Sequence, residues 1–217
     1  METVFFGGMG EPLIHPQIHE MIRAAHAAGK RTELLTNATL LNPEMTERLL
    51  SAGLDMLWVS MDAFSKESYE SIRKGSMYAL VTDHLTAFNN HRNTAELGIT
   101  FVVMKENEHE LMQINQFADA FQVDMLNISH VIPGAPLVEE DSIYDSTFPV
   151  GKMYRFQDTP TKKQYDHCTF VNEGICFIRW DGDVSPCMGL LHTADTYLDD
   201  HKRRIRHHSF GNVCEQS

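Results

Sequence analysis

Four stretches of the chain carry side chains suited to chemistry rather than to packing. In "FFGGMGEPLIHP", residues 5–16, two aromatic residues lead into Gly7, Gly8 and Gly10, then Glu11 and Pro12. Glycines let a backbone approach a ligand closely and expose its N–H and C=O groups. A carboxylate beside them can take an ammonium group. "RTELLTNA", residues 31–38, ends on Thr36 and Asn37, and "DMLWVSMDA", residues 55–63, contains Ser60 and Asp62. The alternation of a strand puts Ser60 and Asp62 on one side. Such hydroxyl and amide groups bind hydroxyls or a carboxylate, so the set suits a zwitterionic, amino-acid-like ligand. The same residues also read as a tight turn and as helix caps. The fourth stretch is the last 50 residues, which hold all four cysteines: Cys168, Cys176, Cys187 and Cys214. Thiolates ligate iron–sulfur clusters. Four cysteines also allow three disulfide pairings, or simple burial.

These groups need elements to position them, and the pattern supplies a repeating unit. Thr3 to Phe6 is a short apolar run. Ile14, Ile18, Met21, Ile22 and Ala25 recur at helical spacing, and Gly29 ends that helix. A strand at Arg31 follows. Asn42 and Pro43 then open a helix as N-cap and first helical residue. A strand at Asp55 comes next. Ser65 opens a helix that Gly75 closes, and a further helix spans about Tyr78 to His91. "LGITFVVM" is a buried strand. Asn107 with Glu110 has the spacing of a capping box, starting a helix with Leu111, Ile114, Phe117 and Phe121 on its face. "VDMLNISHVIP" is the fifth strand. Strand and helix thus alternate with short connections, which predicts an α/β fold with parallel strands and right-handed crossovers. Five strands are too few for a closed barrel, so an open or partial (β/α) barrel is expected, with ligands at the C-terminal strand ends.

Composition narrows the partners. The net charge is −12, with 42% hydrophobic and 22% charged residues. That balance argues against nucleic acid. No run approaches the roughly 18 apolar residues of a membrane span, and no secretory signal precedes the first strand, so a cytoplasmic location is expected. The exception in charge is "HKRRIRHH", residues 201–208, read as a solvated face or a docking patch. Residues 133–166 are poorer in pattern and read as a connector. They divide a first domain, residues 1–132, from a second, residues 167–217, expected to be a small cysteine-bearing subdomain of β-hairpin and helix.

Taken together, "FFGGMGEPLIHPQI", "TNATLL" and "VSMDA" resemble the radical S-adenosylmethionine (radical SAM) superfamily over about residues 3–130. The resemblance implies a partial barrel of β/α units that binds S-adenosylmethionine. Gly8, Gly10 and Glu11 match the bend that takes the amino group. Thr36, Asn37, Ser60 and Asp62 match positions near its ribose and carboxylate. Asn37 is followed here by Ala38, where the family often has glycine. In the family, three cysteines spaced Cys-x3-Cys-x2-Cys lie between a first strand and the glycine bend, and they hold the cluster that cleaves the cofactor. No cysteine precedes Cys168 here. The expectation is therefore a barrel lacking its first strand, in a chain cut at both ends that does not cleave S-adenosylmethionine by itself.

At the other end, "CTFVNEGICFIRWDGDVSPC" reads as strand, turn and strand, with "WDGDV" as the hairpin signal. Thirteen residues separate Cys168 from Gly182, and four separate Gly182 from Cys187. This resembles the start of the SPASM domain, a cysteine-bearing extension that holds auxiliary [4Fe-4S] clusters. Cys168 and Cys187 match its first two ligands, and Cys176 and Cys214 are further candidates. "FIRWDGDVSPCMGLLHT" and "RRIRHHSFGNV" are similar to radical SAM maturases associated with tungsten-cofactor oxidoreductases. The resemblance implies an enzyme that modifies a protein, peptide or cofactor, in its narrower form maturing a tungsten-dependent aldehyde oxidoreductase. No membrane or nucleic-acid partner is implied. The alternative is a non-catalytic, partner-binding remnant, and a sugar-phosphate barrel enzyme is a distant third.

Overall fold

Each apolar run pairs with the run before it, and the glycine-ended helices return the chain to the same edge. The structure, a computed structural model, describes residues 2–8, 10–130, 176–178, 183–185 and 208–209. Five strands form one sheet: β1 (Thr3–Phe6), β2 (Arg31–Thr36), β3 (Met56–Ser60), β4 (Glu96–Val103) and β5 (Met125–His130). They are hydrogen-bonded in chain order and every pair is parallel. The expected parallel α/β sheet is therefore the observed one.

Alternation along the strands divides the sheet into two faces. Leu34, Leu57, Val59, Leu97, Ile99 and Phe101 are fully buried on one face, among the helices. The other face carries Glu33, Trp58, Gly98, Ser60, Thr100 and Asn127, and the register aligns Trp58 with Gly98 and Ser60 with Thr100 and Asn127. Gly98 has a steric reason to be glycine, because a Cβ there would lie 2.3 Å from the Trp58 ring. Trp58 spans that gap and donates its indole N–H to Glu33 at 2.9 Å. Arg31 donates to both Glu33 and Glu96, and these contacts hold its guanidinium above its ordinary pKa. A polar network thus closes the N-terminal end of this face.

The helices are α1 (Ile18–Ala27), α2 (Pro43–Ser51), α3 (Lys66–Ile72), α4 (Tyr78–His91) and α5 (Ile114–Ala120). Asn42 caps α2 by accepting from the Met45 amide at 2.8 Å, and Ser65 caps α3 through the Ser68 amide. Gly29 follows α1 with φ +70°, the conformation that favours glycine there. Two expectations are corrected. The first helix starts at Ile18 rather than Ile14, because Glu11 captures the Leu13 amide and winds Pro12–Ile14 into a separate 3-10 turn. Ile14 and Met21 are consequently exposed, while Ile18 and Ile22 are buried. Asn107 and Glu110 form no capping box. A 3-10 turn over Glu108–Gln113 precedes α5, and both side chains are buried against the loop that follows β3, with Asn107 also reaching β4.

The chain divides into two units, one containing the five-stranded sheet and the other the three remaining strands. In the second unit β6 (Phe177–Ile178) pairs antiparallel with β7 (Asp183–Ser185), and β7 with β8 (His208–Ser209). The expected hairpin is present, and a third strand joins it from the end of the basic run. Cys176 is half-buried beside β6. Cys168, Cys187 and Cys214, the connector and the helix expected in this subdomain lie outside the described residues. Among the described residues, no helix is long and apolar enough to cross a membrane.

Candidate functional site

The C-terminal ends of β1, β2 and β3 carry the residues singled out above. After β1 the chain must turn sharply. Gly8 has φ +142°, which excludes most side chains, and a Cβ on Gly7 would lie 2.5 Å from the Phe5 ring. The turn therefore requires glycine at position 8, while a side chain at position 7 would have to displace the exposed Phe5 ring. A Cβ on Gly10 would meet nothing within 4 Å, so the backbone there borders open space.

Glu11 is the hub of the rim. Its Oε1 accepts from the Leu13 amide at 3.0 Å and from the Thr36 hydroxyl at 2.6 Å. Its Oε2 accepts from the Asn37 amide at 2.7 Å. A carboxylate offers about four acceptor positions, so one remains for a ligand. Thr36 is buried and committed on both sides, since its hydroxyl also accepts from the Ala38 amide at 3.0 Å. It supports Glu11 rather than facing outward. The Asn37 Oδ1 accepts from the Thr39 amide and hydroxyl at 2.9 and 2.6 Å. Ala38, where the family often has glycine, adopts φ +59°, the left-handed conformation glycine would take without strain.

On the adjacent strand, Ser60 is half-buried and its Oγ accepts from Thr100 at 3.4 Å, leaving its own proton to donate. Asp62 is tied on both oxygens, to the Val102 amide at 3.2 Å and to the Arg73 guanidinium at 2.6 Å. Gly8, Gly10, Glu11, Thr36 and Asn37 thus form one cluster, and Ser60 and Asp62 a second beside it. They share an end of neighbouring strands, where Thr36 is in register with Val59.

Sequence reasoning missed three residues here. Arg73, just past α3, brings a cation to the rim; no motif marks it. Asn107 donates to the Asp62 and Val102 carbonyls at 2.7 and 2.8 Å and accepts from the Met104 amide at 2.7 Å. Glu110 accepts from the Phe64 amide, the Ser65 amide at 3.3 Å and the Ser65 hydroxyl at 2.5 Å. Burial raises the Glu110 pKa, but the donors from Ser65, Ser68 and Phe64 outweigh it and hold the carboxyl below its ordinary value. The Asn-x-x-Glu spacing was visible, but the Asp62, Phe64 and Ser65 partners lie some 45 residues away.

The chain has counterparts among known proteins. A family model described as the radical SAM superfamily matches residues 2–118, more than half of the sequence. The chain belongs to the radical SAM superfamily. A second model, the iron–sulfur cluster-binding SPASM domain, matches residues 168–217. The two together imply S-adenosylmethionine and [4Fe-4S] clusters as cofactors. The chain is 29% identical, over its whole length, to the tungsten-containing aldehyde ferredoxin oxidoreductase cofactor-modifying protein of Pyrococcus furiosus, and spans 66% of that relative. Its fold matches SuiB of Streptococcus suis with TM-score 0.62 at 15% identity, covering 86% of this chain and 50% of that one. SuiB bound to the precursor peptide SuiA matches with TM-score 0.57 at 14% identity, over 86% and 49% of the two chains. At such identities these structures bear on the fold alone.

The rim of this radical SAM chain fits S-adenosylmethionine in its donor set. It offers an exposed glycine backbone, one acceptor position on Glu11, the Ser60 hydroxyl and the Arg73 cation. It does not fit an iron–sulfur cluster, since residues 1–132 contain no cysteine. Among the described residues no group of three His, Cys, Asp or Glu side chains is placed to hold a metal.

Proposed function

We propose that this chain is the S-adenosylmethionine-binding and auxiliary-cluster part of a radical SAM maturase acting in the cytoplasm on a protein, peptide or cofactor. The finer reading is maturation of a tungsten-dependent aldehyde oxidoreductase. The observation that carries it is the match to the P. furiosus cofactor-modifying protein, which runs through both the sheet and the cysteine-bearing end. In this reading Gly8, Gly10 and Glu11 take the ammonium group of the methionine moiety. Ser60 and Asn37 hold hydroxyls of the ribose or the carboxylate, with Arg73 as counter-charge. Thr36 and Asp62 hold these groups in place. Cys168 and Cys187, with Cys176 and Cys214, ligate an auxiliary [4Fe-4S] cluster. S-adenosylmethionine supplies hydrogen-abstraction chemistry when it is bound to a reduced cluster. With no thiolate in the sheet domain, this chain by itself binds the intact cofactor without turnover.

Equilibrium dialysis with labelled S-adenosylmethionine tests the rim, and anaerobic reconstitution with iron and sulfide tests the cysteines. Binding that is weakened by Glu11→Ala, and iron uptake that is lost in the Cys168→Ala/Cys187→Ala double variant, are the expected results. Equal iron in that variant would remove the cysteines from the site. Robust 5′-deoxyadenosine from this chain under dithionite would contradict the predicted lack of turnover. A second reading, a partner-binding chain without cofactor, draws on the internal commitment of Glu11 and Thr36. It predicts no dialysis signal at all.

A further inference from the structure

Among the described residues of the rim, Ala38 is the one non-glycine residue whose backbone is strained. It holds φ +59° with its methyl fully buried, in a turn whose neighbours carry the hydrogen bonds of the site. Left-handed backbone is unfavourable for any residue with a Cβ. Such residues persist where the surroundings over-determine them, and they cluster at ligand clamps. Ala38 is gripped on both of its peptide groups. Its N–H donates to the Thr36 hydroxyl at 3.0 Å. Its carbonyl accepts from the Leu41 amide at 3.3 Å and contacts the ring of His84 on α4, whose Nδ1 lies 2.8 Å away. A carbonyl can only accept, so that ring nitrogen carries the proton.

His84 is therefore a long-range tether on a local turn, 46 residues distant in sequence. The turn it tethers has a specific task. The peptide N–H of Asn37, next to Ala38, is what binds Glu11 Oε2 at 2.7 Å. If Ala38 relaxed toward ordinary backbone with its carbonyl held, the Ala38 amide would turn off the Thr36 hydroxyl, which would lose the donor that aims it at Glu11 beside the Asn37 amide. Nothing in the sequence marks His84 for this part. It sits in α4 between Val81 and Leu85, which are buried, and is itself half-buried.

We propose that His84 is a positioning residue of this rim: its Nδ1–H holds Ala38 in the left-handed conformation and so keeps the Ala38 amide on the Thr36 hydroxyl, which is thereby aimed at Glu11. The consequence for a ligand rests on reading the rim as the S-adenosylmethionine site; the consequence for the turn does not. Losing the hydrogen bond should loosen the turn by about fivefold, the equivalent of a net hydrogen bond of ~1 kcal/mol.

Amide hydrogen exchange on the 217-residue chain tests the tether without any ligand. His84→Ala should speed exchange at the Asn37 and Ala38 amides by about fivefold, while the amides of Leu34 and Leu57 keep their protection. His84→Asn, whose side-chain N–H can occupy the place of Nδ1–H, should restore protection. Adding Ala38→Gly to His84→Ala should restore it too, because glycine removes the strain that the tether opposes. Unchanged exchange at Asn37 and Ala38 in His84→Ala would overturn the proposal. So would equal acceleration throughout β2 and β3, which would mean lost packing. Dialysis with S-adenosylmethionine then reads the coupling: affinity should fall about fivefold in His84→Ala and recover in His84→Asn. Absence of binding by the wild-type chain would sink the reading of the rim, and the exchange data would still decide the role of His84.

Discussion

Removing the Glu110 carboxylate should destabilise the sheet domain more than a surface charge could explain, and the size follows from its contacts. Glu110 is 1% exposed and takes two backbone amides and one hydroxyl from the loop that follows β3. In Glu110→Ala the Ser65 hydroxyl can turn to other partners, but the Phe64 and Ser65 amides are left buried without an acceptor. Each such group costs about 1–3 kcal/mol, so the two together should cost about 2–6 kcal/mol, a large part of a typical domain stability of roughly 5–15 kcal/mol. Glu110→Gln keeps one oxygen for the amides and can turn its NH2 toward the Ser65 oxygen. It should lose only about 1–2 kcal/mol. Urea unfolding followed by circular dichroism reads both. With a slope of about 2 kcal/mol per molar urea, the midpoints should fall by about 2 M for Ala and under 1 M for Gln. Equal midpoints for the two variants, or a shift within error for Ala, would refute the assignment of these donors. The same residue gives a pH dependence. Its folded pKa is depressed, so its stabilising contribution is fully present above the unfolded carboxyl value of about 4.3 and is lost as pH falls through the lower folded value. Glu110→Gln should lack that part of the acid transition.

Gly98→Ala should cost about 1–3 kcal/mol by overpacking, and because the new methyl displaces Trp58 from Glu33 it should also change tryptophan fluorescence; unaltered emission would mean that the ring has room to spare. Thr46 is fully buried in α2 with a hydroxyl that has no hydrogen-bond partner among the described residues, so Thr46→Val should leave the urea midpoint unchanged or raise it, and a clear fall would reveal a partner. Asn42→Ala should cost about 1 kcal/mol through loss of the α2 cap, read as a lower melting temperature; no change would indicate that α2 is held by packing alone.

The five strands were legible because each carries apolar residues on the face that the helices cover and is bounded by turn or cap residues. The Asn42–Pro43 start was legible for a different reason. A cap acts within one turn, so sequence distance and spatial distance coincide. Asn107 and Glu110 show where that logic ends. Their spacing is that of a capping box, yet the same side chains find better partners across space, on Asp62, Val102, Phe64 and Ser65. Burial decides between the two uses, and burial is not visible in a four-residue pattern. Ile14 failed similarly. It continues the helical period, but the Glu11 carboxylate takes the amide of Leu13 and starts a separate turn.

The rim was legible as a place and only partly as a set of roles. A glycine bend after a strand announces a site because the turn needs Gly8 there, while Gly10 borders open space. What each polar side chain does is settled by who reaches it first. Thr36 spends its hydroxyl on Glu11 and Ala38, and Asp62 spends its carboxylate on Arg73 and Val102. The contacts that tie the β1 bend to β2 and the loop after β3 to β4 are therefore the same contacts that fix the groups at the rim. A site built this way is held rigid before any ligand arrives, as preorganised recognition requires. It also follows that a substitution at Glu11 acts on the fold and on the site together. Only measurements that separate the two, stability beside affinity, can apportion its effect.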